Sequence, residues 1–131
     1  MTQVAAGIRE ELLVFGNDYQ TPDGTGVRDY IHVMDLVEGH IRALASMQTG
    51  MKVYNLGTGR GYSVLEVINT FESVTGVAIP RRIVERRPGD IDACYADAQR
   101  AKDELNWIAQ SDLRMMLTDA WRWQQNRSTR A

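Results

Sequence analysis

Two short stretches carry residue types suited to holding a phosphorylated, hydroxyl-rich molecule. In Arg28-Asp29-Tyr30-Ile31-His32-Val33, an extended chain sends Arg28 and Tyr30 to one face and Asp29 and Ile31 to the other. One face then offers a guanidinium beside a phenol. In Arg86-Arg87-Pro88-Gly89-Asp90, a turn sets Arg87 near Asp90. The arginine's planar fork matches a phosphate, and the carboxylate can accept from two vicinal hydroxyls such as a ribose pair. Each stretch has a plain structural alternative. Arg28 could form a surface salt bridge with Asp29 or Asp35, and an arginine three residues from an acid is a common solvated turn. Arg81, Arg82, Arg86 and Arg87 also fall close together, in a chain whose only lysines are Lys52 and Lys102. Phosphate binding and a coding bias toward arginine both account for that.

A third candidate is Gly57-Thr58-Gly59-Arg60-Gly61, which follows a predicted strand as a phosphate-binding turn would. Its third glycine comes one residue early for the dinucleotide fingerprint. No acid closes a second strand about twenty residues further on. The segment reads as a tight strand-to-helix turn. The loop from Asn17 to Gly26 lacks the alternating ligands and closing glutamate of a calcium loop. His32 and His40 read as structural, and no metal site is expected. Neither G-K-[ST] nor G-x-S-x-G occurs.

Periodicity supplies the elements that must position these residues. A short helix is expected over 2–10, a strand over Leu12–Phe15, a surface loop over 21–26 and a strand over Val27–Val33. Asp35, with Glu38 as reciprocal cap, starts a helix whose inner stripe is Leu36, Val37, His40, Ile41, Leu44 and Ala45, ended by Gly50. Lys52–Leu56 reads as a strand. Ser63 and Glu66 form a capping box, Val64, Val67, Ile68, Phe71 and Val74 recur at helical spacing, and Gly76 stops that helix. A further strand lies within Val77–Glu85. Asp97 caps a helix through Leu105, and Ser111 caps a last one carrying Leu113, Met116, Leu117, Ala120 and Trp121. The division is one domain over 1–123 and a polar, fraying tail over 124–131. The class is α/β, with too few strands for a complete doubly wound sheet.

Composition bounds the rest. With 131 residues, 44% hydrophobic and 24% charged, the chain is ordinary globular material. A net charge of −2 gives no nucleic-acid footprint and no reason for an anionic membrane partner. One cysteine, Cys94, excludes a disulfide framework. No apolar run is long enough to span a bilayer. With no leader pattern at Met1-Thr2-Gln3-Val4, a cytoplasmic location is the expectation.

Taken in order, F-G-N-D-Y at Phe15–Tyr19, D-G-T-G-V-R-D-Y-I-H-V-M-D-L at Asp23–Leu36, Y-N-L-G-T-G at Tyr54–Gly59, R-R-P-G-D at Arg86–Asp90 and the run from Asp97 to Trp107 resemble one family. The likeness, from about Val4 to Trp123, is to the C-terminal, substrate-binding part of the UDP-glucose 4-epimerases, extended short-chain dehydrogenase/reductases. It implies the C-terminal portion of a Rossmann-type α/β fold with the N-terminal dinucleotide-binding part missing. It also implies interconversion of UDP-glucose and UDP-galactose by NAD-dependent oxidation and reduction at C4. By position, Leu12 and Phe15 would line the uracil pocket, partly through backbone groups, Arg28 and Arg87 would hold the diphosphate with Tyr30 beside them, Asp90 would bind the ribose hydroxyls, and Val64 would lie near the nucleotide. Cys94 stands where a bulkier tyrosine is common, which implies room for UDP-N-acetylhexosamines.

The catalytic Y-x-x-x-K of that family is absent, since no tyrosine here precedes a lysine by four residues, and so is its G-x-x-G-x-x-G NAD loop. The expectation is therefore a chain that recognises substrate but is inactive alone, its partner a second copy or the missing N-terminal half. The strand at Lys52–Leu56 belongs beside the nucleotide-binding sheet, so an exposed apolar edge and self-association are expected. The alternative is a non-catalytic module that binds nucleotide sugar or a partner chain.

Overall fold

The first helix of the chain ends after one turn. In the computed structural model, which describes residues 1–128, α1 covers only Thr2–Ala5, and a positive φ at Gly7 turns the chain away from the longer helix expected. β1 (Leu12–Phe15) follows. β2 is Val27–Asp29, shorter than the expected strand because His32 caps α2 (Val33–Ala45). Next come β3 (Gly61–Ser63), α3 (Val64–Thr75), β4 (Arg81–Val84), β5 (Ala93–Cys94), α4 (Gln99–Leu105) and α5 (Leu113–Ser128).

The strands form two small sheets. β1 and β4 pair in parallel, Leu12 opposite Arg81 and Phe15 opposite Val84. The second sheet has the order β3-β2-β5, with β3 antiparallel and β5 parallel to β2. Under the first sheet lies one core of Val4, Val14, Ile68, Phe71 and Ile79, against which Leu12, Val64, Leu117 and Trp121 pack. The Phe71 and Trp121 rings meet edge to face at 5.9 Å. A second core of Ala101, Leu105 and Trp107 gathers Ile31, Tyr54 and Leu56.

The α3 start follows its sequence signals. The Ser63 hydroxyl accepts from the Glu66 amide at 3.0 Å and the Glu66 carboxylate from the Ser63 amide at 2.7 Å. Gly76 closes the helix in the left-handed region at φ 70. Asp97 accepts from the Gln99 amide at 2.9 Å.

Other expectations change. Asp35 does not cap α2. The His32 ring accepts from the Met34 amide at 3.0 Å, while the buried Asp35 carboxylate accepts from the Gln110 and Ser111 amides at 3.1 and 2.9 Å. The cap of α5 is Asp112, accepting from the Met115 amide at 2.8 Å, not Ser111. The tail expected to fray from Gln124 continues α5 to Ser128, and Gln124 is buried. α5 therefore crosses the expected boundary after residue 123, while residues 129–131 lie outside the described part.

The inner stripe expected on α2 faces outward: Val37, Ile41 and Leu44 are 43%, 55% and 66% exposed. α2 instead packs through Gly39, where a Cβ would come within 2.7 Å of Leu56 and 3.2 Å of Trp107. Lys52–Leu56 forms no ladder within the described chain. The total surface, 8801 Å², exceeds the roughly 7,000 Å² typical of a folded monomer of this mass. No described helix is long and apolar enough to cross a membrane.

Asp29 ties these parts together. Its carboxylate accepts from the Thr58 amide and hydroxyl at 3.0 and 2.6 Å, the Gly59 amide at 2.9 Å and the Ala96 amide at 3.2 Å. Partial burial pushes its pKa up, but the donors on Thr58, Ala96 and Gly59 outweigh that and hold it below the ordinary carboxylate value. A group depressed in this way stabilises the fold at pH above its unfolded value, and that stability is lost as pH falls through the folded value. Asp29→Asn is expected to cost about 2 kcal/mol at neutral pH and to flatten the acid limb of the stability curve. Urea unfolding across pH 2–7 measures both; a variant with the wild-type acid slope would contradict the assignment.

Candidate functional site

β2 is held by Asp29 on one face, so Arg28 stands on the other. The Arg28 guanidinium donates to the Val27 carbonyl at 2.7 Å and lies 3.8 Å from an Asp90 carboxylate oxygen. Arg87 reaches the same carboxylate: its Nε donates at 2.9 Å and a terminal nitrogen at 3.4 Å. The Arg87 guanidinium also lies over the Phe15 ring, 4.9 Å from its centroid. Residues at positions 15, 28, 87 and 90 thus share one locus. Two guanidiniums face one carboxylate, leaving a net positive charge among the three. The surface pairing of Arg28 with Asp29 or Asp35 does not occur; its acid is Asp90.

Cys94 is exposed and opposes Arg28 in the parallel β2–β5 register, so their side chains stand side by side. Both line an open cleft of about 570 Å³ with Tyr54, Asn55 and Tyr95. Tyr30 faces a different space. It is half-buried in an apolar hollow of about 770 Å³ shared with His32, Met34, Leu113 and Trp123. Burial pushes its hydroxyl pKa up, against the pull of the Arg28 charge.

Two further expected residues turn their side chains to the first core. The strand alternation that exposes Leu13 and Phe15 turns Leu12 inward with Val14, so the Leu12 side chain belongs to the first core. Val64 opens α3, donates its amide to the Gly26 carbonyl at 3.2 Å and packs on the same core. The arginine cluster is also dispersed. Arg81 pairs with Glu72, Arg82 with Glu11, and Arg86 with Asp18 and Asp92.

The glycine loop does not fit a dinucleotide phosphate. The amides of Thr58 and Gly59 that would face it are occupied by the Asp29 carboxylate, and a Cβ on Gly57 would sit 2.5 Å from that carboxylate. The loop leads into β3 before α3 begins.

The model of the family described as GDP-mannose 4,6 dehydratase matches residues 1–120. The chain belongs to this family. Within it, the similarity is to epimerases. The UDP-glucose 4-epimerase of Bacillus subtilis (strain 168) is 58% identical over 95% of this chain and 37% of its own length. The crystal structure of UDP-glucose 4-epimerase from Bifidobacterium longum with NAD+ and UDP superposes with a TM-score of 0.93 at 52% identity, over 97% of this chain and 38% of that one. The enzyme from Stenotrophomonas maltophila, with NAD and formylated UDP-arabinopyranose, gives 0.93 and 52%, over 99% of this chain and 39% of that one. The chain spans about 37% of the length of the curated relatives it matches. The resemblance and the partial Rossmann-type fold expected from the sequence are borne out.

Sequence reasoning missed Asp29 as the anchor of Arg28 and the pairing of Arg86 with Asp18. Their partners lie tens of residues away, and no local pattern marks them. The shared field is testable. Asp90→Asn removes the anion between the two guanidiniums, and charges about 4 Å apart near a surface interact by roughly 1–4 kcal/mol. Inorganic pyrophosphate should bind at least about threefold more tightly to the variant in low-salt calorimetry. Unchanged affinity would show that Arg28 and Arg87 act separately.

Proposed function

We propose that the chain is the UDP-sugar-binding part of a UDP-glucose 4-epimerase, serving the interconversion of UDP-glucose and UDP-galactose. The observation that carries this reading is the convergence of Arg28 and Arg87 on Asp90 beside Phe15. Two guanidiniums match two phosphates, each through a fork of donors. The Asp90 carboxylate, already turned toward them, suits the ribose hydroxyls. Phe15 offers a ring beside them for uracil, and the Leu12 side chain plays no part. On binding, the diphosphate would take over the arginines and the hydroxyls the acid, so each charged group exchanges one partner for another.

NAD accompanies UDP or a UDP-sugar in the two relatives described above, and it would supply the hydride chemistry at C4. The glycine loop of this chain, filled by Asp29, does not fit it, so the work of Arg28, Arg87 and Asp90 is to hold and orient the nucleotide. The absence of Y-x-x-x-K accords with recognition rather than redox chemistry. It also favours the second reading, a binding module without turnover.

Calorimetry with UDP tests the site: binding is expected, weakened about tenfold or more by Arg28→Ala and by Arg87→Ala. Binding unaffected by either change overturns the proposal. In a coupled assay with UDP-galactose the chain alone should show no turnover. Turnover on adding the N-terminal part of a relative separates the epimerase reading from the module.

The sugar would lie toward Cys94, in the cleft shared with Arg28. A small residue there leaves room for an N-acetyl group. Cys94→Tyr is expected to lower affinity for UDP-N-acetylglucosamine relative to UDP-glucose, and an unchanged ratio would refute this.

A further inference from the structure

Arg86 and Arg87 are adjacent but differently used. The Arg86 guanidinium stacks on the Tyr19 ring, 3.9 Å from its centroid, and Tyr19 is only 4% exposed. Its Nε donates to the Asp18 carboxylate at 2.6 Å, and a terminal nitrogen donates to the Asp18 carbonyl. Another lies 3.8 Å from the Asp92 carboxylate. Asp92 is tied back in turn. Its carboxylate accepts from the Gln20 amide at 3.3 Å, and its carbonyl accepts from the Val27 amide at 2.9 Å.

The turn from Arg87 to Asp90 is therefore gripped at both ends, by Arg86 before it and Asp92 after it, onto the loop over residues 16–20. Between those ends its backbone has a local bond, the Asp90 amide to the Arg87 carbonyl at 3.2 Å, and its two charged side chains pair with each other and reach Phe15 and Arg28. Gly89 sits at φ 85 with open space around it, a ready pivot. The grip also demands Gly16, at φ 84, where a Cβ would fall 2.6 Å from the Tyr19 ring and 2.7 Å from Arg86 Cγ. With two carboxylates and a ring already engaged, Arg86 has little left to offer a phosphate.

We propose that Arg86 is a positioning residue: it locks the Arg87–Asp90 turn onto the 16–20 loop so that Arg87 and Asp90 meet Arg28, and it does not itself hold the ligand. The lock rests on the UDP-binding reading only for its purpose. An Arg87 held in place loses less freedom on binding than one on a swinging turn.

Two measurements on the full chain test this. Amide exchange should accelerate about tenfold or more across residues 87–90 in Arg86→Ala, with the α3 amides unchanged as a control on folding. UDP affinity should fall about tenfold in Arg86→Ala, but by no more than about twofold when the same change is made in a background carrying both Arg87→Ala and Asp90→Ala. Arg86→Lys keeps the charge without the planar fork and should not restore affinity. Wild-type protection of the turn in Arg86→Ala overturns the lock, and equal losses of affinity in both backgrounds make Arg86 a direct ligand instead. If the wild-type chain takes up no UDP, the functional reading falls and amide exchange alone decides the lock.

Discussion

The position of Arg28 depends on its neighbour. β2 has only three residues, and its one apolar side chain, Val27, is only partly buried. Its facing is set by the Asp29 carboxylate, which gathers donors from the 57–59 loop and from the chain just after β5. With Asp29 committed to one side, strand alternation commits Arg28 to the other. The ladder then brings Cys94 beside it. An anion drawn from the chain's own sequence thus occupies the glycine loop, and the cation next to it is turned to the opposite face, where Arg87 and Asp90 meet it.

The arginine-rich stretch shows how one residue type can serve several purposes. Arg81 and Arg82 pair with acids from α3 and from just before β1, on the outside of the first sheet. Exposed pairs of this kind contribute little stability. Arg82 joins β4 to the start of β1 across the chain, whereas Arg81 ties β4 back to the helix just before it. Arg87 differs because its acid is shared with a second guanidinium. Sharing leaves an excess of positive charge at that one place.

What could be read from the sequence was mainly local. The capping box at Ser63 and Glu66, the Gly76 stop and the β1 run are decided within a few residues, and the structure has them as expected. Asp35 misled because an acid at a helix start is ordinarily a cap, whereas its true partners lie seventy-five residues away. The Leu12 side chain joins the first core, because a position carried over from related enzymes does not say which way a strand faces. The strand at Lys52–Leu56 has the right residues but lacks a neighbour to pair with, and β-propensity expresses fit to neighbours more than any property of the backbone. Arg28, Arg87 and Asp90 could be nominated by residue type. Their meeting depended on two strands and a turn whose association no local pattern encodes.

The outward line of Val37, Ile41 and Leu44 has a consequence for the whole molecule. Covering side chains of this size is worth about 1.5–3 kcal/mol each, comparable in sum to the entire margin by which many small domains stay folded. Here that contribution is unrealised, because α2 meets the rest of its chain on its other side, through Asp35, Gly39 and Ala43. Covering that face would therefore raise resistance to heat or denaturant by a term separate from, and added to, anything gained inside either core.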